Sequence, residues 1–402
     1  MSTLAGIGRS TRRDPREAGL EAAKAARLPL GERLPHLLLV FAASGYEPRE
    51  LFAGLQEAAP GCRISGCSGE GIITPGASDE GERVVGVMAV WSDAMRFDPV
   101  LARDYSADPA AAGAELARQV RALGHDDAFA LLLFPDGLKG NCATLLGSLL
   151  PALPAGIRVA GGASGDALTF ERTWQYLDGE VATDAVAGLL VSGAGTLDIE
   201  VSHGCMPIGL ERHVTSAADG WVREIDGEPA WTVFRQYLDG APEDLNTEGS
   251  IHLSVGEHVP VGAGSPDTSF VIRTPMALDK ATGALFFPGG GIAEGGAMRL
   301  TRRDPLRVRT SARECAEQIA ARHAGRSPAL VLQFDCAGRG KQLFGSRTAE
   351  AIVQPLQDVF GAHTPWLGFH TYGEIAPIGD STYYHNFTVA LCALYERSAD
   401  GA

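Results

Sequence analysis

The sequence has little charge, no closely paired cysteines and no long apolar run. Only 21% of its 402 residues are charged, and the formal net charge of −15 leaves too few Lys and Arg residues to bind nucleic-acid phosphates. The seven cysteines include no CxxC pair, which favours reduced thiols. No apolar run reaches the ~18 residues of a membrane span, and the first residues contain no apolar signal-peptide core. We therefore expect a soluble, cytoplasmic protein that binds neither nucleic acid nor membrane.

What the chain does contain is apolar sequence interrupted by many turns. Apolar residues make up 45% of it, and the fifty glycines and twenty-three prolines stand between recurring apolar runs, so they predict short loops rather than disorder. A chain of this length suits two domains. A boundary is predicted near residues 222–228, where "REIDGEPAW" offers an Asp-Gly turn and Pro229 precedes a helical segment. The predicted domains are about 1–224 and 225–396.

One unit occurs three times along the chain. It consists of an apolar strand ending in Phe, a loop of small residues, a helix, a Pro/Gly turn, and a second strand ending in Gly and an acid. The first strands end at Phe41, Phe134 and Phe334, and the units close at Glu70, Asp166 and Glu374. Continuous apolar runs fit strands buried on both faces, as parallel sheets require. Each unit therefore predicts a βαβ crossover with two parallel strands.

Other segments predict antiparallel strands. "RVVGVMAVWS", "TWQYLDGEVATDAVAGLLVSG" and "YYHNFTVALCAL" have this pattern, and the second contains a hairpin signal at Asp178–Gly179. We predict an α/β protein of two domains, with mixed sheets built on repeated βαβ units, helices covering the sheets, and antiparallel hairpins.

The loops after these strands carry the candidate ligand-binding residues, because open parallel sheets bind ligands at the carboxyl ends of their strands. In the third unit the loop "DCAGRG" should lie beside "HTYGE". Arg339, between two glycines, offers a planar fork of donors to an anion; the alternative is an ion pair with one of the acids that close the units. The predicted ligand-binding residues are Cys67, Glu70, Cys336, Arg339, His370, Tyr372, Glu374, His385 and Asn386.

Several of these residues have a second interpretation. Glu70, Asp166 and Glu374 either bind an amine or amide group of a ligand or cap the turns that follow them. Cys336 is a nucleophile if Arg339 lowers its pKa and His370 acts as its base, or it is a small residue in a crowded turn. His385 and Asn386 either line the pocket of the third unit or tie its turn.

Five segments stand in a characteristic order: "GCSGEGII" (66–73), "VSHGCMPIG" (201–209), "DGEPAWTVF" (226–234), "CAGRG" (336–340) and "GFHTYGEIAP" (368–377). With them, nearly the whole chain resembles the FIST family, in which FIST N and FIST C domains are paired. The resemblance implies a cytoplasmic sensory protein that binds a small ligand and signals through a partner protein such as a histidine kinase.

Some members of the family are similar to haem-binding nitric-oxide sensors. His203, at the bend in "HGCMPIG", is the candidate ligand for haem as a cofactor; the alternative is a histidine satisfied by the backbone. Two other function classes stay open: a cysteine-dependent enzyme that uses Cys336, and an adaptor or scaffold that binds no ligand.

Overall fold

The computed structural model describes residues 2–238, 240, 242–245, 253–259, 270–323 and 325–397. These residues form four sheets, three of which have six strands each. The first sheet contains, in spatial order, β1 (Thr3–Ser10), β6 (Val85–Ser92), β2 (Leu37–Ala43), β3 (Arg63–Gly69), β10 (Gln175–Leu177) and β11 (Glu180–Ala182). The second contains β7 (Met95–Arg103), β12 (Ala185–Gly193), β8 (Ala128–Pro135), β9 (Arg158–Gly162), β24 (Glu374–Ile378) and β25 (Ser381–His385). The third contains β13 (Gly195–Ser202), β26 (Val389–Glu396), β22 (Leu330–Cys336), β23 (Trp366–Thr371), β4 (Gly71–Thr74) and β5 (Ala77–Asp79).

These three sheets share one plan, in which a parallel pair is flanked by a long antiparallel strand on one side and a hairpin on the other. The parallel pairs are β2–β3, β8–β9 and β22–β23. In each sheet the hairpin comes from a different unit. Hairpin β4–β5 follows β3 in the chain but pairs with β23, β24–β25 follows β23 but pairs with β9, and β10–β11 follows β9 but pairs with β3. The three units therefore complete one another's sheets in a cycle.

The inner faces of the three sheets share one apolar core. At its centre are Phe41, Phe134 and Phe334, the residues that end the predicted first strands, and all three are fully buried. Their ring centroids lie 5.4 Å (Phe41 to Phe134), 6.0 Å (Phe134 to Phe334) and 6.3 Å (Phe41 to Phe334) apart. Phe369 packs against all three rings. The repeated Phe is thus explained by packing, since each aromatic pair contributes about 0.5–1.5 kcal/mol beyond its buried area.

A glycine in the second strand of each parallel pair lets the two backbones approach closely. The three glycines are Gly66, Gly161 and Gly368, which lie opposite Val40, Leu133 and Gln333. A Cβ atom at any of them would lie 1.9 to 2.1 Å from the carbonyl oxygen of the facing residue. Each position therefore requires glycine for steric reasons.

Helices cover the outer faces of the three sheets. They are α1 (Pro15–Arg27) and α2 (Pro48–Ala58) on the first, α3 (Pro109–Leu123) and α4 (Cys142–Leu149) on the second, and α6 (Pro305–Arg322) and α8 (Gln354–Phe360) on the third. Asp14, Asp108 and Asp304 precede the prolines that begin three of them, and each carboxylate accepts a bond from the backbone N–H three residues later. Asp followed by Pro is a strong signal for a helix start.

The strands of the fourth sheet lie between β13 and α6 in the sequence. Its strands, in spatial order, are β18 (Phe270–Arg273), β17 (Leu253–His258), β21 (Ala297–Arg303), β14 (Cys205–Ala218), β15 (Trp221–Ile225), β20 (Ala284–Phe286) and β19 (Ala277–Asp279), with β16 (Glu228–Pro229) beside β15. The short helix α5 (Ala230–Arg235) packs on this sheet, and α7 (Lys341–Phe344) follows β22. Among the helices of the described residues, none is long and apolar enough to cross a membrane.

The predicted fold class is confirmed. The strands of each unit are parallel neighbours, the sheets are mixed, and helices cover them. Asp178 and Gly179 join β10 to β11 with φ values of 47° and 88°, as a tight hairpin turn requires. The helix predicted after Pro229 begins at Ala230. The domain boundary near residue 224 stays a prediction; strands from its two sides pair in one sheet, as β13 does with β26.

Candidate functional site

The loops after β3, β9 and β23, one from each unit, meet at one place. Backbone hydrogen bonds join them: Glu70 N–H to His370 O (2.9 Å), Gly165 N–H to Ser68 O (3.1 Å), and Tyr372 N–H to Ala163 O (3.1 Å). These bonds bring Glu70, Asp166 and Tyr372 into contact, although the three residues lie in separate units. The convergence follows from the exchange of hairpins, because each loop leads its hairpin into a neighbouring sheet.

The Tyr372 hydroxyl lies between two carboxyl groups. It is 2.7 Å from Oδ1 of Asp166 and 3.1 Å from Oε2 of Glu70. The backbone N–H of Leu168 approaches the same Glu70 oxygen at 2.7 Å and the Tyr372 oxygen at 2.9 Å. Glu70 and Asp166 are both buried. The group therefore connects all three units through hydrogen bonds with little access to solvent.

The two carboxyl groups have opposite pKa shifts. Burial raises the pKa of Glu70 to about 7, against the hydrogen bond from the Leu168 N–H and the one that Tyr372 donates when its hydroxyl turns from Asp166 to Glu70. Burial also acts on Asp166, but bonds from Tyr372, from the loop N–H groups and from a hydroxyl hold the pKa of Asp166 below its usual value. The pKa of Tyr372 is raised by burial and by both acids. Near neutral pH, Asp166 is therefore ionised, whereas Glu70 is present in both its protonated and its ionised form.

Glu70 borders a cleft of about 790 Å³, open solvent included. The cleft is lined by Glu70, Glu80, Glu82, Ala167, Leu168, Ala337, Lys341 and Gln342. Loops after β3, β9 and β22 contribute to its walls, so it lies at the carboxyl ends of strands from all three units. Three acids face one lysine, and alanine and leucine side chains supply apolar wall.

Glu80 fixes one side of this cleft. Its two carboxylate oxygens lie 2.7 and 2.8 Å from the backbone N–H of Lys341, at the start of α7. The ring nitrogen Nε2 of His370 is 3.8 Å from the same carboxylate and 2.8 Å from the Ser78 hydroxyl. His370 is fully buried, so it lies beneath the cleft and supports Glu80 and Ser78.

Glu374, Cys336 and Cys67 are buried away from this cleft. Glu374 accepts bonds from the hydroxyls of Thr371 and Thr388, and its burial raises its pKa to about 8. Burial holds the thiol pKa of Cys336 and of Cys67 well above the ordinary value. At neutral pH both thiols are therefore protonated, and the geometry gives no support to a reactive Cys336.

Arg339 is fully buried and pairs with Asp335 on β22, with 2.8 Å between Nε and Oδ1. Its Nη1 atom also donates to the backbone carbonyls of Ser202 and His203, at 3.3 and 3.2 Å. The structure thus shows an ion pair at Arg339, the alternative to anion binding, but the partner is an acid within its own strand and loop rather than one of the three that close the units.

His385 and Asn386 tie the turn after β25. The Nε2 atom of His385 lies 3.0 Å from the carbonyl of Ala376, and burial lowers the pKa of His385 to about 3. Asn386 accepts a bond from the backbone N–H of Thr274 and lies 3.4 Å from the carbonyl of Tyr372. Asn386 thereby links the fourth sheet to the loop that carries the Tyr372 hydroxyl.

The surroundings of His203 do not fit a haem. His203 is buried, and its Nδ1 atom accepts the backbone N–H of Cys205 at 2.9 Å. The small neighbour Gly204 packs directly on helix α6: a Cβ atom there would lie 2.4 Å from the backbone nitrogen of Val308. The small residues at this bend thus allow close contact with helix α6, which occupies the space beside Gly204 that a macrocycle would need.

Among the predicted ligand-binding residues, the structure brings Glu70 to the cleft and Tyr372 into contact with Glu70. Asp166 has the same two interpretations as Glu70 in the sequence but is not among the residues predicted to bind the ligand. Glu80, Glu82 and Lys341, which line the cleft, are not among them either. The only sequence signal for the two glutamates is the acidic run "SDEGE" (78–82), whose neighbours depend on the pairing of β4–β5 with the third unit.

The fold and site define a mixed α/β protein in which three βαβ units surround a common core and jointly form a cleft. Comparison with known families then places it: residues 36–228 match the FIST N domain and residues 230–377 the FIST C domain, so the chain belongs to the FIST family. FIST domains are generally associated with the sensing of small ligands in signalling.

Relatives that match over nearly their whole length occur in mycobacteria. The chain is 30% identical over 394 residues to an uncharacterised protein of Mycobacterium tuberculosis, covering 96% of this chain and 98% of that one. It is 28% identical over 393 residues to an uncharacterised protein of Mycobacterium bovis, covering 96% and 97%.

Among solved structures, a chorismatase aligns with a TM-score of 0.38 at 9% identity, covering 98% of each chain. A cyanuric acid hydrolase from A. caulinodans aligns with a TM-score of 0.35 at 9% identity, covering 99% of this chain and 100% of that one. Similarity at this level carries no information about activity.

Proposed function

We propose that the protein is a cytoplasmic sensor that binds a small ligand in the cleft beside Glu70 and signals through a partner protein such as a histidine kinase. The observation that carries the proposal is the convergence of loops from all three units on this cleft. A ligand held there contacts several units at once, so its binding is able to alter their relative arrangement. The association of FIST domains with small-ligand sensing supports the same interpretation. Haem forms no part of this proposal.

The lining of the cleft favours a ligand with a cationic group. Glu70, Glu80 and Glu82 outnumber the single cation Lys341, and an ammonium or guanidinium group beside an ionised carboxylate forms a charge-assisted hydrogen bond. The side chain of Leu168 offers an apolar surface to the rest of the molecule. We therefore expect a small amine or guanidine with a short apolar part.

Native mass spectrometry of the purified protein tests the proposal, because a bound small molecule adds its own mass to the folded chain. The identified compound is then titrated by calorimetry into wild-type protein and two variants. Glu70→Gln should weaken binding by about 1.5–3 kcal/mol, the value of a hydrogen bond to a charged group. Glu50→Gln, on the exposed face of α2, is the matched control and should bind as wild type.

Equal affinity of the Glu70→Gln variant and the wild type would place the ligand elsewhere. A folded protein that retains no compound and binds none of a panel of amines and guanidines would instead favour the adaptor or scaffold hypothesis. In that case the cleft would be expected to contact another protein rather than a metabolite.

A further inference from the structure

The loop of residues 166–172, here called the cleft loop, has an unusual backbone. Ala167, Leu168 and Phe170 have φ values of 59°, 57° and 53°, in the left-handed region that residues with large side chains rarely adopt. Leu168 and Phe170 are 38% and 51% exposed, so burial of their side chains holds the loop only in part. Its conformation therefore depends on hydrogen bonds.

A first set of bonds lies within the loop and fixes its internal shape. The Asp166 carboxylate accepts bonds from the hydroxyl of Thr169 and from the backbone N–H groups of Phe170, Glu171 and Arg172. Four donors around one carboxylate stabilise its ionised form. This set moves with the loop and does not attach it to the rest of the molecule.

A second set attaches the cleft loop to the other two units. The backbone N–H of Leu168 donates to Glu70 and to the Tyr372 oxygen, at 2.7 and 2.9 Å, and the Tyr372 hydroxyl is 2.7 Å from Asp166. The ring of Phe170 stacks on the ring of Tyr372, with 5.5 Å between centroids. Because Leu168 lines the cleft, these attachments also set the position of one cleft wall.

The protons in this second set can be counted. Tyr372 has a single hydroxyl proton, and the closer of its two acceptors is Asp166 at 2.7 Å. While that proton bonds Asp166, the 3.1 Å contact between Tyr372 and Glu70 is a hydrogen bond only when Glu70 carries a proton and donates it. When Glu70 is ionised, two carboxylates compete for one hydroxyl proton, and their charges repel each other.

We propose that this contact is a latch: protonated Glu70 holds the cleft loop closed, and loss of its proton loosens the loop and opens the cleft. The latch regulates the ligand site of the proposed function, and its role as a regulator rests on that function. The opening and closing of the loop does not require a ligand. The titratable groups that face Glu70 are Tyr372 and His370 from the third unit, Asp166 of the cleft loop, Glu80 and Glu82 after β5, and Lys341 of α7.

The charges around Glu70 determine the direction of the pH response. Burial, with a smaller contribution from the charges of Glu80 and Asp166, raises the pKa of Glu70 to about 7 from the ordinary value of 4.5. A carboxyl group whose pKa is raised in the closed state favours closure below its ordinary pKa. That contribution is lost as the pH rises from about 4.5 to about 7. The cleft loop should therefore be closed in mild acid and loosened above neutral pH.

Hydrogen exchange of the backbone amides in residues 166–174, read by mass spectrometry between pH 5.5 and 8.5 and corrected for intrinsic rates, tests the latch. In wild-type protein, protection should fall at least tenfold across this range. Glu70→Gln should keep the acid level of protection throughout, because its amide donates to Tyr372 as the protonated acid does. Tyr372→Phe should be weakly protected at every pH, and Glu50→Gln, on the exposed face of α2 and outside the cleft, should follow wild type.

Wild-type protection that does not change with pH would overturn the proposal, as would a full pH response in the Glu70→Gln variant. Peptides from β8 report on global folding and should stay protected in every sample. If Glu70→Gln fails to fold, the pH series on wild type and Tyr372→Phe still decides. No ligand is added, so failure of the latch leaves the proposed ligand binding intact, and failure to find a ligand leaves the latch measurable.

Discussion

Replacing Arg339 by Met tests whether this residue stabilises the fold rather than binding a ligand. Both Arg339 and its partner Asp335 are completely buried. The substitution leaves the Asp335 carboxylate in the interior with Gln333 Nε2, at 2.9 Å, as its remaining described partner. Removing one member of a buried ion pair typically costs about 3–5 kcal/mol. The carbonyls of Ser202 and His203 lose a donor as well, which adds to the loss.

The assay is urea unfolding of four proteins: wild type, Arg339→Met, Asp335→Asn, and the double variant. The double variant removes both charges, so it should recover much of the stability lost in the Arg339→Met single variant, giving a coupling energy of about 2 kcal/mol or more. The double variant is thus the matched control for the single ones. A stability of Arg339→Met within about 1 kcal/mol of wild type, together with loss of affinity for an identified anionic ligand, would refute this reasoning and restore Arg339 as a binding residue.

Three further predictions follow from burial. Phe134→Ala should lower the free energy of unfolding by about 3–5 kcal/mol in urea, with Phe134→Leu milder, because the ring fills the centre of the shared core; equal stabilities would contradict that placement. The raised pKa of Glu374 predicts that stability falls as the pH rises from about 4.5 to about 8, by on the order of 4 kcal/mol, and that Glu374→Gln flattens the curve measured by urea titrations at several pH values. In iodoacetamide labelling at neutral pH, Cys62, the one cysteine that is partly exposed, should react first; faster labelling of Cys336 would revive the enzyme alternative.

The sequence was informative wherever structure depends on local chemistry. Parallel strands buried on both faces must be apolar at every position, so the runs ending at Phe41, Phe134 and Phe334 were recognisable as strands. The Asp178 turn was equally clear, because few residues tolerate its backbone conformation. The repeat of the unit predicted three βαβ crossovers, and the structure places each parallel pair in a sheet of its own.

The strand with which each hairpin pairs could not be predicted from the sequence, because pairing between strands far apart in the chain leaves no local pattern. Tyr372 and Glu70 were both predicted site residues, but nothing in the sequence showed that they touch. For Arg339 the sequence left two interpretations open, for a different reason. Flanking glycines are typical of a ligand-binding loop. In the structure, however, the guanidinium is buried in an ion pair with Asp335, four residues earlier. Whether a charged side chain faces a cleft or a neighbour is decided by packing, which spacing alone does not specify.

The cyclic exchange of hairpins limits how the chain can be cut. A fragment that stops near residue 224 would keep every strand of the first sheet but lose β24–β25 from the second, and its own β4–β5 and β13 would have no sheet to join. The complementary fragment would hold β22, β23 and β26 with both flanks of that sheet open. Unpaired edges of this kind aggregate. When the two fragments are coexpressed, they should associate through these edges and form a noncovalent pair. The protein is therefore suited to use as a split-protein reporter.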